Sequence, residues 1–157
     1  MGLLLCVARN DAKPATFSQL IIKSPVSGLS YKINAANTTC NTKNIIYSIQ
    51  FHNCNFLYIG ESGRTLRERL NGHRYDVNHK DETKVVSFHC VQHNHNDSEM
   101  NVSILKQLSG EDKERKIEEL KFISQLITDC PHGSNMQHVF QRSPIFEPKA
   151  PMVCYDQ

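Results

Sequence analysis

The stretch YIGESGRTLRERLNGH, from Tyr58 to His73, constrains the fold most, because it joins a strand directly to a capped helix. The apolar run from Phe56 to Gly60 is typical of a β-strand. Thr65 and Glu68 form a capping box, in which each side chain satisfies a backbone N–H of the first helical turn. The stretch therefore predicts a strand, a short loop and a helix.

The predicted helix, from about residue 66 to residue 77, holds basic groups beside its apolar stripe. Its apolar side comprises Leu66, Leu70 and Val77, and its polar side comprises Arg67, Asn71 and Arg74. Arg69 and His73 lie four residues apart on the margin of the stripe. A guanidinium and an imidazole at the edge of the core, beside Tyr58, fit a phosphate site.

The neighbouring segments predict further strands and helices. Alternating apolar residues over Ile45–Phe51 indicate a half-buried strand, which would form a hairpin with the Phe56–Gly60 strand. The pattern of Met100–Ile104 predicts a third strand. Val85–Cys90 favours a short helix, and a longer helix capped by Ser109 would continue to about residue 127.

The two ends of the chain lack such patterns. Residues 1–38 contain one strand-like run, Phe17–Ile22, among small and polar residues, and are predicted to be a peripheral N-terminal segment. Prolines at positions 144, 148 and 151 interrupt the end of the chain, so residues 137–157 are predicted to be a disordered tail. The domain itself is assigned to residues 39–136.

Charge and hydropathy limit the partners. A net charge of +2 over 157 residues favours neither nucleic acid nor membrane, although basic residues are locally dense on the first helix. The apolar opening MGLLLCVA is too short to span a membrane, and no basic residue precedes it. We expect no membrane association and an intracellular location, with the nucleus as one option; the oligomeric state is not indicated.

The six cysteines do not suggest a disulfide framework, because the chain is longer than typical stapled domains and has no convincing export signal. Cys40, Cys54 and Cys90 instead fall near several histidines. These are His52, His89, His93 and His95. The combination favours reduced thiols or a metal.

The late helix carries a carboxylate where an apolar side chain is expected. Its predicted apolar arc comprises Ile117, Leu120, Phe122, Ile123, Leu126 and Ile127. Glu119 falls inside this arc, and burying an unpaired carboxylate is costly. The spacing leaves two alternatives open: a salt bridge to Arg69 or another base, and a ligand for Mg²⁺.

These residues together resemble the signature of the GIY-YIG nucleases. Tyr47 in NIIYSI, and Tyr58 with Gly60 in YIG, match its two halves. The family's helix arginine, following histidine, metal-binding glutamate and closing asparagine are matched by Arg69, His73, Glu119 and Asn135. The resemblance covers residues 40–135 and is closest to the domains of retroelements, such as Penelope-like elements and related reverse-transcriptase reading frames.

The resemblance implies a small α+β domain, a three-stranded antiparallel sheet flanked by helices, that hydrolyses DNA with one Mg²⁺ or Mn²⁺. Glu119 would hold the metal, and Arg69 would stabilise the pentavalent transition state. Tyr47 would be the general base, with Tyr58 and His73 as orienting groups or alternative proton acceptors. Because the ordinary tyrosine pKa is about 10, such a base needs a cationic neighbour or the metal. The substrate-binding residues would be Gly60, Arg64, Arg67, Arg74 and Asn135.

The chain departs from the retroelement pattern just before the YIG strand. Relatives carry a Cys-x-x-Cys pair there that is read, with two later histidines, as a zinc finger. Cys54 matches the second cysteine, but Phe51 stands at the first. A site for Zn²⁺ could still use Cys54, His89 and His95 with either Cys40 or His52, and the alternative is that zinc has been lost.

Three functions therefore remain open. The first is a DNA endonuclease derived from a mobile element. The second is a catalytically decayed copy that keeps the fold and binds DNA in a salt-dependent way without cutting it. The third is a zinc-stabilised protein-interaction domain, which predicts neither DNA binding nor cleavage.

Overall fold

The computed structural model describes residues 21–24, 28–33, 38–51, 54 and 56–126. In chain order the elements are β1 (Ile21–Lys23), β2 (Ser30–Lys32), β3 (Ile45–Phe51), β4 (Leu57–Ser62), α1 (Leu66–Asn78), α2 (Val85–His93), β5 (Met100–Gln107) and α3 (Asp112–Leu126). A 3₁₀ turn, Asp97–Glu99, precedes β5. The predicted tail, Asn135 and His52 lie outside the described residues.

The main sheet has three antiparallel strands in the order β4-β3-β5, and β1 and β2 form a separate two-stranded hairpin. The α+β class with a three-stranded antiparallel sheet flanked by helices is therefore confirmed. Tyr47 on β3 pairs with Gly60 on β4, so the two tyrosine motifs lie side by side in the sheet.

The central strand β3 is buried on both faces, so the prediction of a half-buried strand was wrong. One face carries Ile45, Tyr47, Ile49 and Phe51, which pack with α1 and α2. The other face carries Ile46, which packs in a second core with residues of α3. The polar Ser48 is also buried. Alternation was misleading here because a layer covers the face that was expected to meet water.

The β1–β2 hairpin supplies part of that layer. Ile22 and Ile33 are 1% and 4% exposed and belong to the second core. The Ser24 hydroxyl donates to the backbone carbonyl of Leu126, at 2.6 Å, and the Tyr31 ring meets Phe122 edge-on at 4.9 Å. The described part of the N-terminal segment is thus packed onto α3.

The first helix begins as predicted. Thr65 is the N-cap of α1, and Thr65 and Glu68 form the expected capping box. The late helix α3 begins at Asp112, so the predicted Ser109 cap is wrong, and the Ser109 hydroxyl instead donates to the Glu114 carboxylate. No helix in the described part of the chain has the length and apolar character needed to cross a membrane.

The hairpin packing predicts unequal effects of two adjacent substitutions. Ile22→Ala should lower the free energy of unfolding by about 2–5 kcal/mol, because it opens a cavity in the second core. Ile21→Ala should change it by less than about 0.5 kcal/mol, because Ile21 is 62% exposed. Urea titrations measure both values, and equal effects would contradict the packing of the hairpin.

Candidate active site and metal cluster

The candidate active site begins with the hydroxyl of Tyr47, which the central strand holds in a fully buried position. Arg69 Nε donates to this oxygen at 2.8 Å, and His73 Nε2 lies 2.7 Å from it. Arg69 and His73 come from successive turns of α1, and His73 is itself buried. The helix therefore supplies both polar partners that a buried phenol requires.

Gly60 makes this arrangement sterically possible. A Cβ at position 60 would lie 2.6 Å from the Tyr47 hydroxyl and 2.9 Å from Cε1 of Tyr58. The absence of a side chain on β4 thus lets the two phenols approach each other across the strand. The structure gives the glycine of the YIG motif a packing role.

Neither Tyr47 nor His73 carries a charge at neutral pH. Burial and the neighbouring Tyr58 raise the pKa of Tyr47 well above its usual value, and Arg69 only partly opposes them. Burial, with the positive charge of Arg69, lowers the pKa of His73 to about 3. A guanidinium can only donate hydrogen bonds, so the Tyr47 oxygen accepts from Arg69. The Tyr47 hydroxyl then donates to Nε2 of a neutral His73 whose proton is on Nδ1.

Tyr58 and Glu119 complete the cluster. Burial raises the pKa of Tyr58, the nearby Arg69 charge opposes this rise, and the Tyr58 ring centroid lies 6.3 Å from that of Tyr47. Glu119 arrives from α3, and its negative charge raises the pKa of both tyrosines. The structure therefore brings together all five residues predicted to be catalytic.

The Glu119 carboxylate is partly buried and has no cationic partner within ion-pairing distance among the described residues. The predicted alternative of a salt bridge to Arg69 is therefore wrong. Burial and the nearby Glu61 charge raise the pKa of Glu119 to about 7. The Glu61 backbone N–H, Arg69 and Lys116 act in the opposite direction. An acid in this setting gains stability from a cation.

The apolar arc of α3 was predicted in the wrong place. Ile117 and Leu120 are 45% and 39% exposed, whereas the buried residues of the helix are Arg115, Phe122, Ile123 and Leu126. Glu119 lies between Arg115 and Phe122 on that buried face, one turn from each. Its inward position is as predicted, but the centre of the stripe is not.

Arg115 is an important residue that the sequence did not reveal. Its side chain is 6% exposed, and its Nε donates to Glu61 Oε2 at 2.8 Å. Its other nitrogens donate to the carbonyl of Gly110, to the side-chain oxygen of Asn44 and to Asp112. The only available signal was its position one turn before Glu119.

The predicted substrate-binding arginines lie around α1. Arg64 is exposed at the start of the helix. Arg67 is partly buried, and its buried Nε has no hydrogen-bond partner in the described part of the chain. Arg74 is farther along the helix, with its Nε 3.9 Å from Asp97 Oδ2. The Arg67 guanidinium thus has an unused donor, whereas Arg74 is partly neutralised.

A second cluster lies beyond the far end of β3. Ligand atoms of Cys54, His89 and His95 lie within 4.8 Å of one another, and Cys54 Sγ is 3.2 Å from His89 Nε2. Ligands of a tetrahedral zinc ion lie roughly 3.3–3.6 Å apart, given the usual bond lengths. Burial and the neighbouring histidines lower the pKa of His89 to about 3, so its neutral ring can act as a ligand. The cluster can therefore hold a metal with small adjustments.

Glu99, which sequence reasoning missed, orients this cluster. Its Oε2 lies 2.6 Å from His95 Nδ1, which leaves Nε2 of His95 for the cluster. A carboxylate in this position fixes the tautomer of a metal-binding histidine. The spacing of four residues between the two was the available signal.

Cys40 does not join the cluster, which corrects its prediction as a ligand. Its sulfur is in a disulfide, so no thiolate is available there, and the expectation of reduced thiols holds for Cys54 and Cys90 only. The Phe51 ring packs on two histidine rings. Its centroid lies 4.9 Å from that of His95 and 5.1 Å from that of His89. An aromatic wall thus occupies the place of the missing cysteine.

Comparisons with known proteins give no assignment: no family model, curated protein or solved structure matches this chain.

The buried His73 predicts an unusual titration. Since its folded pKa of about 3 lies below the unfolded value of about 6.5, protonation favours the unfolded chain. The stability that His73 contributes is therefore present above pH 6.5 and is lost as the pH falls toward 3. NMR of the His73 ring between pH 8 and pH 5 should show no titration, with free histidine as the control. A midpoint near 6.5 would contradict the buried pairing.

Proposed function

We propose that this chain is a metal-dependent DNA endonuclease of the GIY-YIG type, derived from a mobile element. The supporting observation is that Tyr47, Tyr58, Arg69, His73 and Glu119 meet in one cluster although they come from four separate elements. Random placement of five motif residues would not bring them together. The mobile-element origin rests on the resemblance to retroelement domains alone.

Glu119 would hold the divalent metal, Mg²⁺ or Mn²⁺. Its carboxylate oxygens are hard donors, and they lack a cationic partner among the described residues, so the residue fits this ion. When bound, Mg²⁺ neutralises negative charge on the scissile phosphate and the leaving oxygen.

Arg69 and the Tyr47–His73 pair perform the remaining chemistry. The Arg69 guanidinium donates to the phosphate oxygens as negative charge accumulates on them. The Tyr47 hydroxyl is fully buried at rest, so an attacking water must first reach it as the substrate binds. The water then forms the new P–O bond and gives its proton to Tyr47, while the Tyr47 hydroxyl proton passes to His73 Nε2, 2.7 Å away. The P–O bond to the departing strand breaks, its electron pair stays on the leaving oxygen, and that oxygen then takes a proton from water. Because burial and the Arg69 charge disfavour a protonated His73, the imidazolium can only be transient, so the two proton transfers must accompany the attack on phosphorus.

DNA binding would use the basic side of α1. Arg64 is exposed next to the loop that follows β4, and Arg67 is partly exposed in the first turn of α1. Phosphate contacts of this kind give affinity without sequence preference, and they weaken as salt rises. The proposal therefore implies salt-dependent binding to DNA of any sequence.

Cleavage of supercoiled plasmid with Mg²⁺ or Mn²⁺ tests the proposal. Glu119→Gln and Arg69→Lys should each slow cleavage by about 10²–10³-fold, because the first weakens metal binding and the second removes the guanidinium that donates to the phosphate oxygens. Glu118→Gln is the matched control on the same helix, since Glu118 pairs with Lys106 and Lys121 outside the cluster. Its rate should equal that of the wild type.

Fluorescence anisotropy on labelled DNA separates the two remaining functions. Wild-type protein that binds DNA in a salt-dependent way but cleaves none with either metal would favour the decayed DNA-binding module. Wild-type protein that neither binds nor cleaves DNA would exclude the endonuclease and the DNA-binding module, and would favour the protein-interaction domain.

We further propose that Cys54, His89 and His95 bind Zn²⁺ in a structural role. The supporting observation is their convergence from the β3–β4 connection, α2 and the loop after it, with Glu99 orienting His95. Zinc would tie these three segments together and stabilise the end of the sheet.

Elemental analysis of the purified protein should find about one zinc per chain. Cys54→Ser should lose the zinc and lower the unfolding temperature, because a thiolate ligand is removed. Cys90→Ala is the control, since Cys90 is a free cysteine outside the cluster. Equal zinc contents in wild type and Cys54→Ser would exclude this site.

A further inference from the structure

The Arg115 guanidinium lies where three loops meet the start of α3. It binds Asn44 just before β3, Glu61 at the end of β4 and Gly110 just after β5. The surrounding backbone fits it closely, because a Cβ at Gly63 would lie 2.8 Å from its Nη2. Gly110 adopts a φ of +126°, which strongly favours glycine. A buried arginine with this many partners fixes the position of its helix.

Glu61 connects this arginine to the candidate active site. Its side chain accepts from Arg115 Nε at 2.8 Å, α3 packs against β4, and burial and the Glu61 charge raise the pKa of the nearby Glu119 carboxyl. Arg115 and Glu119 are four residues apart on the same face of α3. A shift of the Arg115–Glu61 pair would therefore move Glu119 relative to Tyr47, Tyr58 and Arg69.

We propose that Arg115 is a positioning residue for Glu119. By donating to Glu61, Arg115 fixes the start of α3 against the end of β4, and this holds the Glu119 carboxylate beside the phenols and the guanidinium of the cluster. This inference rests on the proposed function for its consequence in metal binding, but its structural content can be measured without metal or DNA. Lys106 offers a matched comparison, because it also joins α3 to the sheet through an ion pair, with Glu118.

The experiment compares the wild type with Arg115→Met, Arg115→Lys and Lys106→Met, each well below its own unfolding temperature. Mn²⁺ affinity measured by calorimetry should fall about 10–100-fold in Arg115→Met, as for the loss of groups that orient metal ligands. Arg115→Lys keeps the charge and one donor, so it should recover part of the affinity. Lys106→Met should bind Mn²⁺ like the wild type.

NMR of labelled tyrosine rings provides the second readout. The Tyr47 and Tyr58 signals should shift in Arg115→Met and stay in place in Lys106→Met, with the exposed Tyr75 as an internal reference. If Arg115→Met does not fold, Arg115→Lys takes its place.

The outcomes separate the two proposals. Unchanged Tyr47 and Tyr58 signals in a folded Arg115 variant would overturn the positioning role. Equal shifts in Arg115→Met and Lys106→Met would do so as well, because they would mean that any loss of anchoring moves the helix. Absence of Mn²⁺ binding in the wild type, with the tyrosine shifts as expected, would instead overturn the metal function and keep the positioning role.

Discussion

The buried hydroxyl of Tyr47 is the interaction on which the site depends. It lies on the central strand without access to water, so protein groups must satisfy its oxygen and its proton. The first helix supplies Arg69 and His73 for this purpose, and β4 leaves the necessary space at Gly60. One phenol thus fixes the positions of two strands and a helix relative to one another.

The parts of this arrangement that could be predicted are those that a few neighbouring residues determine. The capping box at Thr65 set the start of α1, and the helical period then placed Arg69 and His73 on one margin. Strand alternation pointed Tyr47 inward, and the fold class followed from the resemblance. None of these steps needed knowledge of which distant segments meet.

The parts that could not be predicted depend on contacts between distant segments. Arg115 and Glu61 are 54 residues apart in the sequence. A helical wheel predicts an exposed position for an arginine when its buried partner is not known. That omission shifted the predicted stripe of α3 toward Ile117 and Leu120. The burial of both faces of β3 was missed for the same reason, since the covering hairpin is anchored by Ser24, 102 residues from its partner Leu126.

The buried Arg115 and the half-buried Arg69 show why an acid and a base can stay apart in the same cluster. The ion pairs of the described residues give Arg115 two acidic partners and give Arg69 none, because phenol oxygens occupy Arg69 instead. Direct pairing of Arg69 with Glu119 would neutralise both and leave little attraction for a phosphate or a cation. Glu61 pairs with Arg115, and Arg69 donates to Tyr47. Glu119 can therefore bind a cation, and the Arg69 guanidinium can bind an anion.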